Sequence, residues 1–300
     1  METFDLGIAW NWEYDKEFIY GIEHECLKLG LRTYRVESHN LTETIKNLRS
    51  EVIRFRTFLD RASDEDEEFL PLARYLTRSS VHIFNSYELV EQAKDKATMH
   101  LELMAHGVNV PYTIIISPYQ TKKEIELSLT ELAYLGRPFI IKPANTTGGG
   151  IGVVTGAETL KEIIQARQHH KKDKYLLQET IIPKTFRGRN AWFRVFYAFG
   201  EIISCWWDPE THVYQEVTKN EIHKYSLQPL FEITEKIFST CRLDFFSTEI
   251  ALTVNNKFVA VDYVNEICDM RPQTAHFDGI PNQVIHKIQH WLALSIKKFI

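Results

Sequence analysis

The residues with the clearest chemical potential are Glu249 and Asp262, in the stretch STEIALTVNNKFVAVDYVNE at 247–266. Two apolar, β-branched runs flank Asn255-Asn256, residues that tolerate the positive φ of a two-residue turn, so the stretch reads as a β-hairpin. With those asparagines at the turn, Val254 faces Lys257 and Glu249 lies directly opposite Asp262. Cross-strand partners are about 4.5–5.5 Å apart at Cβ, where like charges repel. Ala251 and Ala260 would share the acidic face, and Ile250, Leu252, Val259 and Val261 would form a core face. A divalent cation would relieve the repulsion, with one or two carboxylates as hard ligands and open positions for water and phosphate oxygens, as Mg²⁺ prefers. An acidic pair on a solvated sheet face is the alternative.

A second feature is IIKPANTTGGGIGV at 140–153. A strand ends in Lys142, and a loop with Thr146, Thr147, Gly148, Gly149 and Gly150 leads into another strand. Glycines let backbone N–H groups converge on an anion, and the threonines add hydroxyl donors. The spacing is not that of a P-loop or of a dinucleotide fingerprint, and no helix follows. A flexible turn is the other reading. In YLLQETIIP, Gln178-Glu179 offers a polar edge that would suit a purine, or the segment is a plain buried strand.

The elements that must position these residues fall into a recognisable order. Through residue 86, strand-like segments (LGIAW, LRTYRV, VIRFRTFL, VHIFN) alternate with helical ones, which predicts a small parallel α/β unit. In that unit Ser63 is the expected N-cap of a helix opening with SDEDEE. One helix is expected from Ser86 to Gly107. Thr121 and Glu124 have capping-box spacing before a helix carrying Ile125, Leu129 and Leu132 and ending at Gly136. Further helices are expected at Thr159 to about His170, around Phe231 to Phe238, and at Pro281 to Lys298, with strands at AWFRVFYAF and EIISCWW.

A net charge of −5 gives no electrostatic case for nucleic acid or an anionic membrane. No apolar run approaches the ~20 residues of a membrane span. The N-terminus lacks the basic flank and cleavage site of a secretory signal. Cys26, Cys205, Cys241 and Cys268 are scattered, as reduced thiols would be. The expectation is a soluble cytoplasmic protein. His286 and His290 lack a third ligand at zinc spacing, Trp206-Trp207 reads as core, and Cys268 has no histidine placed to activate it.

Lys96 in KDK, then VNVPYT, the lysine-to-glycine loop, the Gln-Glu segment, a strand with Arg194 and two acids thirteen residues apart follow one another. This succession, over about residues 86–272, resembles the ATP-grasp superfamily, near its glutathione synthetase, D-alanine:D-alanine ligase and ribosomal-protein glutamate ligase branches. The resemblance implies an α/β (α+β grasp) fold: an N-terminal α/β domain at 1–86, then a two-lobed grasp domain at 87–300. The lid lobe would span about 112–178 and the C-terminal lobe about 179–300.

It also implies that Lys96 and Lys142 contact ATP phosphates, that Thr146 to Gly150 form a flap, and that Gln178, Glu179 and the Ile181 backbone meet adenine. Glu249 and Asp262 would hold Mg²⁺ or Mn²⁺, and Arg194 would face the transferring phosphoryl group and the acyl substrate. In the family the second acid is usually a glutamate with an asparagine two residues on; here Asn265 follows Asp262 by three. Strict alternation turns Asn265 to the wrong face unless a bulge intervenes, so Glu266 competes for the third metal position. No ribose-binding acid occurs between Glu179 and Glu201; Lys184, Arg187 and Arg189 stand there and would meet an anionic substrate or solvent.

Asp269 and Arg271 are the picks for acceptor contacts. The implied activity is carboxylate–amine ligation through an acyl phosphate, on small-molecule or peptide substrates, with homo-oligomerisation left open. A grasp-fold kinase acting on a hydroxyl and a non-catalytic ATP-binding module are the alternatives.

Overall fold

The computed structural model describes residues 1–145 and 150–300. Strands β1 (Glu2–Trp10), β2 (Thr33–Val36), β3 (Ile53–Arg61) and β4 (His82–Phe84) form a parallel sheet in the order β2-β1-β3-β4. Helices α1 (Lys16–Lys28), α2 (Leu41–Arg49) and α3 (Leu70–Thr77) connect them. Ser63 is not a cap. The Asp60 carboxylate accepts from the N–H groups of Ala62 and Ser63 at 3.1 and 3.0 Å and holds this segment in a turn. Asp66 then caps a single 3₁₀ turn at Glu67–Phe69 before α3.

The expected helix from 86 to 107 is two helices, α4 (Tyr87–Lys94) and α5 (Lys96–Ala105). Asp95 breaks it, with φ −72° and ψ 90° and a carboxylate accepting from the N–H groups of Ala97 and Thr98. The break sets Lys96 in the first turn of α5.

Strands β5 (Thr113–Ile116), β6 (Phe139–Pro143), β7 (Val154–Ala157) and β8 (Tyr175–Glu179) make an antiparallel sheet ordered β5-β8-β6-β7. Helices α6 (Leu129–Leu135) and α7 (Leu160–Ala166) pack on one face, against Ile114, Ile141, Tyr175 and Leu177. The capping box of α6 is Ser128 with Glu131, not Thr121 with Glu124, and Gly136 at φ 71° ends it. The opposite face of the sheet carries Thr113, Lys142, Leu176 and Gln178.

Next come β9 (Thr185–Phe186) and β10 (Arg189–Asn190), which pair as a small ribbon. Strands β11 (Trp192–Ala198), β12 (Glu201–Trp207), β13 (Tyr214–Glu216), β14 (Phe245–Leu252) and β15 (Phe258–Asn265) form an antiparallel sheet ordered β13-β12-β11-β14-β15. Helices α8 (Lys219–Lys224), α9 (Pro229–Cys241) and α10 (Asn282–Ile296) complete the chain.

One buried core joins β1 and α1 to β11, β12 and α10. Gly21 makes that approach possible: a Cβ there would stand 2.0 Å from Nε2 of Gln289, which donates to Phe18 O at 3.1 Å. A second core joins α4, α5, α9 and β15 to Leu176, so the Lys142 face of the β5–β8 sheet packs toward the five-stranded sheet. Among the described residues no helix is long and apolar enough to cross a membrane.

Candidate active site

Glu249 and Asp262 are cross-strand partners. The path to that register differs from the sequence expectation. Thr253 N donates to Lys257 O and Asn256 N to Thr253 O, both at 2.9 Å, and only Asn256 has positive φ (58°). The connection is therefore three residues long, and Leu252 pairs with Phe258. A bulge between Ile250 and Glu249 then restores the Glu249–Asp262 pair. It also divides the faces differently. Ile250 pairs with Ala260, whereas Val259 and Val261 join Ala251, Ile181 and Trp192 in one apolar patch.

A second bulge pairs Asn265 with Ser247, two residues along β14 from Glu249 and hence on the same side of the strand. Asn265 thus reaches the face of Asp262. Glu266 is buried beside Lys94 and Lys96, and burial raises its pKa above the usual glutamate value.

Arg194 is Glu249's partner on β11 and donates Nη1 to Oε1 at 2.8 Å; Trp192 donates Nε1 to Oε2 at 3.1 Å. The Arg194 guanidinium lies 5.0 Å from the Trp207 ring centroid, and the phenol of half-buried Tyr214 sits beside it. Lys142 reaches across from β6 and donates Nζ to Val261 O at 3.3 Å.

The charges are strongly coupled. Burial raises Glu249 above its usual pKa, and the neighbouring Asp262 adds to this, against the pull of Arg194. Burial also opposes ionisation of Asp262, but Lys96, Lys142 and Arg194 outweigh it and hold the carboxyl below the usual range. Burial lowers Lys142, against the attraction of Asp262 and Glu249. Three cations therefore surround two facing carboxylates between the two antiparallel sheets. Among the described residues no three His, Cys, Asp or Glu side chains form a metal cage. The donor set is two carboxylates and the Asn265 amide. Asp262 has no side-chain hydrogen bond among the described residues, so its oxygens are available to a hard cation.

Gln178 is 1% exposed, and its amide bonds Tyr263 Oη and Thr113 Oγ1 instead of lining an open edge. Glu179 accepts from Tyr112 N at 2.8 Å. No hydrogen bond among the described residues reaches the Ile181 N–H. Gly150 is exposed with φ 71°, and Thr146, Thr147, Gly148 and Gly149 lie outside the described residues.

The substrate picks separate. Asp269 and Arg271 pair with each other at 2.7 Å, and Arg271 also pairs with Asp278 at 3.1 Å. Tyr214 connects that loop to the site electrostatically, through Asp269 and Arg194. Arg187 occupies the exposed β9–β10 turn at φ 49°. Arg189 lies over the Trp206 ring, 5.2 Å from its centroid, on the sheet face opposite Arg194, and so is not brought to the site. Cys268 is buried, its thiol pushed up to about 11 by burial, and His290 pairs with Glu25 at 2.9 Å.

Sequence reasoning missed Trp192, Tyr214, Tyr263 and His100. Strand alternation from Arg194 could have found Trp192. Tyr214 and His100 are joined to the site only by tertiary packing.

No protein-family model matches the sequence, and no curated protein does. Solved structures do match. The D-cycloserine synthetase DcsG superposes with a TM-score of 0.63 at 14% identity, over 98% of both chains. The macrocyclase MdnC from Microcystis aeruginosa, bound with precursor peptide MdnA, gives 0.63 at 13% identity over 99% of both chains. The ATP-grasp ligase PsnB, complexed with minimal precursor, Mg and ADP, gives 0.62 at 10% over 98% of both. The fold is that of the ATP-grasp ligases.

Proposed function

We propose that this protein is an ATP- and Mg²⁺-dependent carboxylate–amine ligase that works through an acyl phosphate. The observation that carries the reading is the convergence of Lys96, Lys142 and Arg194 on the facing pair Glu249–Asp262, between the two sheets of an ATP-grasp fold. The domain division at residues 86 and 87 belongs to the same reading, and four buried free thiols suit a reducing cytoplasm.

In this reading Lys96 and Lys142 hold the phosphates, and Glu249, Asp262 and Asn265 hold Mg²⁺. Mg²⁺, when bound, neutralises charge on the phosphate oxygens. The base meets Gln178, Glu179, the Ile181 N–H and the apolar patch around Ala251 and Val259. Thr146 to Gly150 cover the triphosphate. Arg194, steadied by Glu249 and the Trp207 ring, faces the carboxylate that attacks the γ-phosphate. An amine then displaces phosphate from the acyl carbon. Positioning and charge complementarity supply most of the acceleration, since the protein forms no covalent bond. Asp269 and Arg271 contact the acceptor. The carboxylate and amine belong to small molecules or peptides, in keeping with the peptide precursors bound to PsnB and MdnC.

The test is hydroxylamine trapping with Mg·ATP and a panel of acids. Hydroxamate with ADP release supports the ligase. A stable phosphorylated product indicates a kinase, and binding without ADP release indicates a binding module; either overturns it.

A further inference from the structure

A buried polar network links three segments that flank the nucleotide region. Tyr263 Oη, next in sequence to Asp262, lies 2.7 Å from Gln178 Nε2 and 2.6 Å from His100 Nδ1. Gln178 belongs to β8, and His100 to α5, the helix that opens with Lys96. All three side chains are nearly inaccessible, at 1–3% exposure.

The protons can be followed one by one. Thr113 Oγ1 donates to Pro111 O at 2.9 Å, which uses its only proton. The Gln178 atom 3.2 Å from that oxygen must therefore be the NH₂ group. The same NH₂ donates to Tyr263 Oη. Tyr263 in turn has one proton, and it goes to the His100 Nδ1 lone pair. Burial lowers the His100 pKa, which favours the neutral ring, and the Nε2–H tautomer of that ring is the one that leaves Nδ1 able to accept. The protons of Thr113, Gln178 and Tyr263 are thus committed, and among the described residues Gln178 Oε1 is left buried without a partner. An orphaned acceptor in a native interior calls for a ligand donor.

We propose that His100 and Tyr263 are positioning residues that lock the Gln178 amide with its carbonyl oxygen free, and that this lock selects adenine over guanine. The inference rests on the nucleotide site proposed above and adds its base selectivity. Three residues beyond Gln178 the Ile181 N–H has no acceptor among the described residues. A free acceptor and a free donor match adenine, which presents its 6-amino donor beside the N1 acceptor. Guanine presents the reverse, an O6 acceptor beside an N1–H donor. A site built to hydrogen-bond its ligand rejects the mismatched analogue strongly because buried groups are left unpaired.

Binding of Mg·ATP and Mg·GTP to the wild-type chain and to Tyr263→Phe and His100→Leu, by calorimetry with circular dichroism as the fold check, tests this. The wild type should prefer ATP by at least about 100-fold. Tyr263→Phe removes the lock, so the amide can turn its NH₂ toward guanine O6, and the preference should narrow by at least about tenfold. His100→Leu frees the tyrosine proton to bond Gln178 Oε1 and should narrow it likewise, which keeps the test available if Tyr263→Phe does not fold. A ratio unchanged while both affinities fall together means that the network is only structural and overturns the inference. So does equal binding of ATP and GTP by the wild type. Binding of neither nucleotide to the wild type overturns the nucleotide site itself.

Discussion

Arg61 ends β3 inside the joint between the N-terminal sheet and the segment that follows β15. Its Nε and Nη2 donate to the two oxygens of Asp15, each at 2.7 Å, and Nη2 also donates to Cys268 O at 2.9 Å. Both side chains are 2% exposed. Arg61→Met keeps much of the volume but strands a carboxylate and a carbonyl in the interior. Removing one partner of such a pair costs ~3–5 kcal/mol, whereas replacing both with apolar groups is often close to neutral. Asp15→Leu with Arg61→Met should then cost only ~1–2 kcal/mol, mainly for the Cys268 carbonyl left without a donor.

With either single change at the low end of that range, the two should be coupled by at least ~4 kcal/mol, well above the scatter of independent sites. Urea unfolding of the wild type, both single variants and the double variant measures this directly. Cys268 lies three residues beyond Asn265, so Arg61→Met should also weaken Mg·ATP binding at temperatures where the chain stays folded. Additive losses, or a single-variant cost below ~1 kcal/mol, would refute the view that this pair locks the joint.

Lys142→Ala and Glu249→Gln should each lower hydroxamate formation by ~10²–10³-fold while leaving circular dichroism unchanged, because each removes a charge aimed at the reacting phosphate or its metal. Arg189→Ala should change the rate by less than about twofold, since the side chain lies on the other sheet face and surface changes are usually small; a large loss would mean that the β9–β10 ribbon serves the site. Asp95→Ala should cost ~1 kcal/mol as a lost N-cap, read from urea unfolding at pH 7. Burial opposes the Asp95 charge, but the Thr98 hydroxyl, the capping N–H groups and Lys174 hold its pKa below the usual aspartate value. Its charge contribution is thus complete above about pH 4 and fades as pH falls through the lower folded value, so the gap between wild type and variant should shrink at pH 3.

What the sequence revealed of the site depended on how local the deciding interaction was. Glu249 and Asp262 were legible as partners because both strands carry strong β patterns. Yet that register rests on two compensating departures: a turn one residue longer than Asn255-Asn256 alone would make, and one bulge. The second bulge decides the side on which Asn265 lies, and nothing in DYVNE marks its position. Strand membership also explains why two nearby arginines have different fates. Arg194 shares the face of Trp192 and Glu249, whereas Arg189 sits on a separate ribbon that folds over Trp206.

The helix errors have the same origin. Thr121-x-x-Glu124 and Ser128-x-x-Glu131 are equivalent as capping boxes on paper. Arg167, 1% exposed on the far side of α7, separates them: its guanidinium donates to the carbonyls of Ser117, Lys122 and Lys123 at 2.7, 2.5 and 3.1 Å. Those carbonyls are spent on a residue more than forty positions away, so the chain at 117–123 stays a loop and only Ser128 can start the helix. The break at Asp95 is a different case, because in the sequence the apolar spacing of Val90, Ala93, Ala97 and Leu101 runs straight through it, although α5 leaves Leu101 exposed and buries Met99, His100 and Leu103. A carboxylate that captures the N–H groups ahead of it ends one helix and starts another without altering that spacing, and it is this break that places Lys96 in the first turn of α5, beside Asp262.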